Sequence, residues 1–388
     1  MKMLKIDVIQ RIVLPIICLI ISLDTYAGKI PFTLEAHLMI AKIKTPVGDK
    51  KFIVDTGAGC SVISKELALD LKCIMNDSIS VIDVHGHAIR MVQTKIPELD
   101  FGGYNVQNTQ AIVWEQNPYL FSCLDVDGIL GGTALKDFKI RFSLHESCIT
   151  VGKSLDELGP FSKKYPIKVY GIQKSSDIRP IIFFTLEDSL GKHKCKIPFL
   201  FDTGARDFSV SCWGNVVKKK VLNRIRTTKG ISSSIGMSAK KLHGEMRTGI
   251  CPVLKIGKNI IRGLRINGGN TSLIGNHLLE YGDIIIDYPK SRAYFEAFQK
   301  DQTVQNIKHK HLRNIEPFFN NEQGFIIGTI WDASLEDIAV EDRIVEINGK
   351  STEKLSICDV LKLKLDSDST IVIKNNNGLH RIKVRDLE

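Results

Sequence analysis

The sequence reads KFIVDTGA at residues 51–58 and PFLFDTGA at residues 198–205, which is the same pattern 147 positions later. In both copies a run of apolar residues predicts a strand, and the Asp-Thr-Gly that follows it is typical of a turn. One Asp-Thr-Gly alone is most simply explained as a structural turn. Two copies in matching contexts are better explained by a duplicated unit.

The agreement between the copies continues further along the chain. Ile129-Leu130-Gly131 follows the first Asp-Thr-Gly, and Leu273-Ile274-Gly275 follows the second at a similar distance. Each is followed by a short helix candidate and a strand, at residues 135–142 and 278–287. The sequence therefore predicts an all-β fold made of two duplicated lobes.

The repeat places one carboxylate in each lobe. If the lobes pack as twofold mates, Asp55 and Asp202 face each other at the seam between them. Two adjacent carboxylates cannot both ionise easily, so they share one proton. The charged group can then act as a base on water while the neutral group donates to a carbonyl oxygen. This arrangement suits amide hydrolysis without a metal or a covalent nucleophile.

These residues resemble a known family. VDTGA at residues 54–58 and FDTGA at residues 201–205 look like the catalytic loops of retropepsin-like aspartic proteases, and the two apolar-apolar-Gly segments look like their ψ-shaped motif. The resemblance covers roughly residues 29–298. It implies a bilobal fold with the cleft between the lobes, a polypeptide substrate, and neither a cofactor nor a metal. It also implies a catalytic dyad of Asp55 and Asp202, with loop support from Thr56, Gly57, Ala58, Thr203, Gly204 and Ala205.

One departure from the pepsins has a consequence for pH. Pepsins usually carry Ser or Thr after Asp-Thr-Gly, and that hydroxyl can stabilise the ionised carboxylate. Ala58 and Ala205 stand at these positions and have no hydroxyl to donate. We therefore expect raised pKa values for the dyad and a working pH less acidic than that of pepsins.

Family members close a β-hairpin flap over the substrate. The flap candidate of lobe 1 is residues 83–89, with Gly86 at the tip and His85 placed to touch the substrate. The candidate of lobe 2 is residues 231–241, with Gly236. An ordinary surface hairpin is the alternative interpretation of both segments.

The pattern changes after a polar linker. The last part of the chain resembles a PDZ domain, a small α+β fold, with Gly324-Phe325-Ile326-Ile327 similar to the carboxylate-binding loop and its strand. The resemblance implies capture of a peptide C-terminus or a partner's tail by strand addition at Gly324, Phe325, Ile326 and Ile327. A domain that only packs on the protease is the alternative. Glu341 stands where such domains usually have Gly, which departs from the pattern.

The N-terminus has the features of an export signal. Lys2, Lys5 and Arg11 precede an apolar run at residues 12–23, and Ala27 closes the segment. We expect an exported protein, periplasmic or extracellular, of the bacterial type. A lipoprotein is disfavoured because Cys18 lies in the middle of the run.

The charge and the cysteines of the chain give no sign of nucleic-acid binding or of a CxxC site. The formal net charge is +10, but the basic residues are spread along the chain and no nucleic-acid motif accompanies them. The nine cysteines show no CxxC, and their pairing stays open. The predicted boundaries are 1–27 for a signal peptide, 28–165 for lobe 1, 166–298 for lobe 2, 299–314 for a linker and 315–388 for the PDZ-like domain.

The sequence thus favours an exported aspartic endopeptidase with a peptide-binding domain, monomeric because one chain holds both loops. A non-catalytic protein that binds peptides on the same scaffold is the alternative. A serine hydrolase with a PDZ domain is disfavoured because GISSS at residues 230–234 makes no GxSxG elbow. A metalloprotease is disfavoured because the sequence has no HExxH.

Overall fold

The structure is a computed structural model that describes residues 28–82, 88–115, 119–172, 178–231, 243–299, 301–303, 312–320, 323–363 and 365–387. Strands dominate these residues, and the helices among them are all short. The prediction of an all-β protein is therefore confirmed. No helix within the described ranges is long and apolar enough to cross a bilayer.

Lobe 1, the described chain up to residue 165, is built mainly from antiparallel strands joined by tight turns. Its strands are β1 (Gly28–Glu35), β2 (Leu38–Thr45), β3 (Gly48–Val54), β4 (Ser61–Ser64), β5 (Ser78–Ile82), β6 (Ala88–Phe101), β7 (Tyr104–Trp114), β8 (Gly128–Leu130), β9 (Lys139–Ser143) and β10 (Cys148–Gly152). Its helical segments are α1 (Lys65–Asp70), α2 (Tyr119–Leu124), α3 (Gly132–Leu135) and a 3₁₀ turn (Asp156–Leu158).

Lobe 2 follows from residue 166 with the same kinds of element. Its strands are β11 (Ile167–Tyr170), β12 (Ile181–Glu187), β13 (Lys194–Asp202), β14 (Phe208–Val210), β15 (Asn223–Ile231), β16 (His243–Ile256), β17 (Asn259–Gly268), β18 (Leu273–Gly275), β19 (Gly282–Asp287), β20 (Arg292–Ala297) and β21 (Asp301–Thr303). Its helical segments are α4 (Trp213–Lys218) and a 3₁₀ turn (Asn276–Glu280). Because β21 pairs with β17, lobe 2 reaches into the predicted linker.

The C-terminal unit, residues 312–387, has a core of its own. Its elements are β22 (Ile315–Asn320), β23 (Gly324–Ile330), β24 (Arg343–Ile347), β25 (Lys350–Ser351), α5 (Ile357–Lys362), β26 (Thr370–Asn375) and β27 (Gly378–Lys383). Apolar side chains from its strands, among them Phe325, Ile344 and Ile371, are almost completely buried against one another.

The internal repeat of the sequence is a repeat of strand pairing. In lobe 1, β3 runs parallel to β8, and β4 pairs antiparallel with β8 and parallel with β7. In lobe 2, β13 runs parallel to β18, and β14 pairs antiparallel with β18 and parallel with β17. The two lobes therefore place their Asp-Thr-Gly turns at equivalent points of equivalent sheets.

A six-stranded sheet joins the lobes. Its strands lie in the order β1-β10-β9-β19-β20-β11, so that β9 of lobe 1 pairs directly with β19 of lobe 2. Ile140 lies opposite Ile286 at the centre of this junction, and both are fully buried. Every residue of β10 and of β19 is buried, including Asp283 and Asp287 of β19.

The C-terminal unit is tied to both lobes. A disulfide between Cys123 and Cys358 joins α2 of lobe 1 to α5. On the other side, Gly230 of β15 pairs with Thr329 of β23, and the hydroxyl of Thr228 donates to the carbonyl oxygen of Ile330 at 2.9 Å. The sequence left the pairing of cysteines open, and among the described residues this is the one pair that is bonded.

Candidate active site

Strands and turns place the two predicted aspartates. Asp55 follows the last residue of β3, and its amide donates to the carbonyl oxygen of Leu130 in β8 at 3.0 Å. Asp202 is the last residue of β13 and lies beside Gly275 of β18. A Cβ at Gly131 would come within 2.5 Å of the carbonyl oxygen of Ala58. The Gly of each apolar-apolar-Gly segment is therefore needed for the loop to pass this close.

The two threonines lock the loops together across the seam. The amide of Thr56 donates to the hydroxyl of Thr203, and the amide of Thr203 donates to the hydroxyl of Thr56, both at 3.0 Å. Each hydroxyl then donates to a strand of the opposite lobe, Thr56 to Phe201 and Thr203 to Val54, both at 2.7 Å. Both threonines are completely buried. This reciprocal set fixes one loop relative to the other.

The two carboxyl groups meet at the centre of this arrangement. Each carboxyl group lies close enough to affect the pKa of the other. The amides of Gly57 and Ala58 donate to Oδ1 of Asp55 at 2.8 and 3.1 Å, and the amide of Gly204 donates to Oδ1 of Asp202 at 2.9 Å. A Cβ at Gly57 would overlap the carboxyl group of Asp202, and a Cβ at Gly204 would overlap that of Asp55. The glycines thus allow the carboxyl groups to approach.

Burial and proximity separate the two pKa values. Burial raises the pKa of Asp55, and its interaction with the Asp202 side chain and the hydrogen bonds it accepts from Gly57 and Ala58 oppose this rise. The pKa of Asp202 is raised much further. Burial is the largest cause, and the charge of Asp55 and the interaction with its side chain add to the rise. The pair can therefore hold one shared proton, and the pKa of Asp202 is the more strongly raised of the two. Such a pair combines a base and an acid within reach of one water molecule.

The surroundings of the two loops differ between the lobes. Behind the Asp55 loop, the hydroxyl of Thr133 donates to Ser61 at 3.1 Å and to the carbonyl oxygen of Gln110 at 2.7 Å. Beside the Asp202 loop, Nε of Arg206 donates to Nε2 of His277 at 3.1 Å. This charged surrounding was missed from the sequence, although Arg206 directly follows the loop.

The ionisable cluster around His277 joins the lobes. Its Nδ1 lies 3.3 Å from Asp207 and its Nε2 lies 3.5 Å from Glu280. Its ring also meets the ring of His37, from the β1–β2 turn of lobe 1, edge to face at 6.1 Å between centroids. Within the described ranges no three His, Cys, Asp or Glu side chains are grouped to hold a metal ion.

A tyrosine behind the seam was also missed. Tyr288 is buried just after β19, and its hydroxyl has no hydrogen-bond partner among the described residues. Burial raises its pKa, and the nearby charge of Asp55 raises it further. Its sequence context, an apolar strand followed by a turn, carried no sign of this proximity.

Two hairpins are described up to the residues that flank the flap candidates in the sequence. In lobe 1, β5 and β6 form a hairpin that ends with Ile82 opposite Ala88. In lobe 2, β15 and β16 form a hairpin that ends with Ile231 opposite His243. The candidates themselves, His85, Gly86 and Gly236, lie outside the described residues.

The residues expected to take up a peptide lie inside a sheet. Gly324, Phe325, Ile326 and Ile327 begin β23, which pairs with β22 along one edge. On the other edge Ile326 pairs with Arg343, and Ile327 exchanges backbone hydrogen bonds with residues 341 and 342. Both edges of β23 are therefore paired at Ile326 and Ile327 in this structure, and peptide binding at these residues stays a prediction. Within the described ranges no strand pairs with the outer edge of β22.

A comparison with models of known protein families finds a match within lobe 1. A family model described as aspartyl protease matches residues 42–134, a range that contains Asp55, its loop and Gly131. The match suggests aspartic peptidase activity. No curated protein matches the chain.

Proposed function

We propose that the chain is an aspartic endopeptidase in which Asp55 is the base and Asp202 is the acid. The observation that carries the proposal is the pair of reciprocal hydrogen bonds between the two Asp-Thr-Gly loops, which brings each carboxyl group against the glycine of the opposite loop. Two buried carboxyl groups in contact destabilise a fold unless they share a proton. A turn with only a structural role would not need such a pair.

The chemistry follows from the separation of the pKa values. Asp55 takes a proton from water as the water oxygen attacks the peptide carbonyl carbon, and Asp202 gives its proton to the carbonyl oxygen. The tetrahedral intermediate then breaks its C–N bond as Asp55 passes its proton to the leaving nitrogen. One hydroxyl of the intermediate returns a proton to Asp202 as the new carboxyl group forms. The pair is left in its starting state, and its apparent pKa values belong to both groups together.

The C-terminal unit is proposed to recognise a peptide end. Because β23 is paired on both edges at Ile326 and Ile327, the added strand would lie along the outer edge of β22. Support comes from the resemblance to PDZ domains and from this unpaired edge. A unit that only packs on the lobes would bind no peptide end.

We also propose that the protein is exported and is a monomer. The signal-like segment at residues 1–27 supports export, and so does the disulfide between Cys123 and Cys358, because such bonds persist in oxidising compartments. One chain supplies both Asp-Thr-Gly loops, so a second copy is not needed to build the site.

Cleavage of an unfolded protein from about pH 3 to about pH 8 tests the activity. We expect a bell-shaped profile for the native chain and no cleavage above background for Asp55→Asn or Asp202→Asn. The matched control is Asp49→Asn, an exposed aspartate in the same strand as the first loop, which should cleave as the native chain does. Folded native chain that cleaves nothing would favour the non-catalytic binding protein instead.

A further inference from the structure

The C-terminal unit is attached to both lobes. Its tie to lobe 1 is covalent, through Cys123 in α2. Its tie to lobe 2 is made by hydrogen bonds, through Gly230 and Thr228 in β15. A body fixed to both lobes limits how far the attached elements can move apart.

Each tie is attached next to one of the two hairpins. In α2, Phe121 and Leu124 share a small core with Met91 of β6, and partly buried Ile79 of β5 packs against the same core. The ring of Phe121 also packs edge to face against Trp114, with 5.7 Å between centroids. Through α2 the disulfide therefore holds the base of the β5–β6 hairpin. On lobe 2 the tie is made by β15 itself, the first strand of the β15–β16 hairpin.

The C-terminal unit and the rest of the chain carry opposite net charges, but the ion pair between the unit and lobe 2 is exposed and contributes little stability. Residues 315–388 contain fourteen acidic and nine basic residues, whereas the whole chain is basic. His243 of β16 lies 3.7 Å from Glu341, and both side chains are largely exposed. Exposed ion pairs contribute little in water, so the disulfide is the stronger of the two ties.

We propose that the disulfide between Cys123 and Cys358 is a releasable clasp, which holds the C-terminal unit across the lobes and restrains both hairpins until a dithiol reductant opens it. The proposal rests on the proposed function only in treating those hairpins as the ones that close over a polypeptide substrate. Cys358 is the more exposed half of the bond, and Cys123 is buried.

The exchange is balanced between the bond and the reductant. A thiolate of the dithiol attacks Sγ of Cys358, forms a mixed disulfide and displaces the thiolate of Cys123, which takes up a proton. The second thiol of the reductant then displaces Cys358. The bond gains two electrons and two protons, and the reductant leaves as a disulfide. The catalytic seam should not change, because the Thr56–Thr203 hydrogen bonds and the β9–β19 junction include no residue of the C-terminal unit.

Amide hydrogen exchange of the full chain, with and without a dithiol reductant, tests the clasp without any need for turnover. We expect amides of α2 and β15 to exchange roughly tenfold faster after reduction, while those of β9 and β19 are unchanged. The Cys123→Ser/Cys358→Ser chain should show the fast rates from the start and should not respond to reductant. The matched control is Cys73→Ser, a partly buried free thiol, which should keep the full response.

Three results would overturn the clasp. The first is equal exchange before and after reduction, and the second is a double variant that still responds. The third is acceleration that spreads to β9 and β19, because the bond would then stabilise the whole fold rather than restrain two hairpins. If the double variant does not fold, native chain that has been reduced and alkylated at its thiols gives the same comparison.

Cleavage of an unfolded protein, measured in parallel, separates the clasp from the proposed activity. Faster cleavage after reduction supports a clasp that limits entry to the cleft. Absence of cleavage in both redox states counts against the proposed activity, and the exchange rates still decide the clasp.

Discussion

At the scale of single residues, neither position after the Asp-Thr-Gly turns carries a hydroxyl group, because Ala58 and Ala205 stand there. Asp55 accepts from the amides of Gly57 and Ala58, but the side chain of Ala58 offers no hydroxyl. Burial is then opposed only by backbone donors and by the partner carboxyl group, and the pKa of Asp55 stays raised. A site of this composition should work at a less acidic pH than one with Ser or Thr at this position.

Replacing Ala58→Ser should lower the pKa of Asp55, because a hydroxyl that donates to the carboxylate stabilises its charged form. The acidic limb of the pH–rate profile should move to lower pH by about one unit. Ala58→Cys is the matched control, since a thiol is of similar size and a weak donor. An unchanged acidic limb in the serine variant would show that the backbone donors already fix the pKa.

At the scale of elements, the four hydrogen bonds of Thr56 and Thr203 join two turns that are far apart in the sequence. Each hydroxyl both accepts from the opposite loop and donates to the opposite strand. Removal of one hydroxyl therefore leaves a buried amide and a buried carbonyl group without partners at once. Such groups are costly to leave unpaired.

Thr203→Val should destabilise the chain by about 2–6 kcal/mol, since a buried unpartnered polar group costs roughly 1–3 kcal/mol and two are created. Urea unfolding measures the loss. Thr203→Ser keeps the hydroxyl and should recover most of the stability, whereas Thr33→Val on an exposed position of β1 should change little. Equal stability of the Val and Ser variants would mean that the hydroxyl does not hold the seam.

Sequence alone predicted the parts of these elements that repeat. Asp55, Asp202, their loops and the segments that end in Gly131 and Gly275 follow from one pattern present twice. The pairing of Cys123 with Cys358 did not follow, because cysteine spacing contains no information about the docking of a separate unit. The sequence also carried no sign that β23 pairs with β22 on one edge and with β24 on the other at the residues suggested for peptide binding.

At the scale of the whole molecule, one acidic side chain lies where the C-terminal unit meets lobe 2. Nε1 of Trp331 donates to Oε1 of Glu316 at 3.1 Å. Burial raises the pKa of Glu316, and the nearby charge of Asp207 adds to the rise while Arg313 and Arg265 oppose it. A raised pKa in the folded chain means that protonation of Glu316 stabilises the folded, docked form.

The docked state should therefore weaken as the pH rises. The contribution of Glu316 is fully present below its unfolded pKa, near 4.5, and is lost as the pH passes through the raised value of the folded chain. Glu316→Gln should remove this dependence, with the exchange rate of β15 amides as the measure. Glu336→Gln, at an exposed position of the same unit, should behave as the native chain. A Gln variant that loosens with pH as the native chain does would assign the effect to another group.

Because β9 of lobe 1 pairs with β19 of lobe 2, lobe 1 is not complete until lobe 2 has been synthesised. A ribosome delivers lobe 1 first, when β9 has β10 beside it but not yet β19. At that stage the hydroxyl of Thr56 also lacks its acceptor, the carbonyl oxygen of Phe201. A nascent chain that has emerged only as far as lobe 1 thus carries Asp55 without Asp202, and the edge of β9 that pairs with β19 is open. For the proposed peptidase, the site is therefore incomplete until lobe 2 has been synthesised.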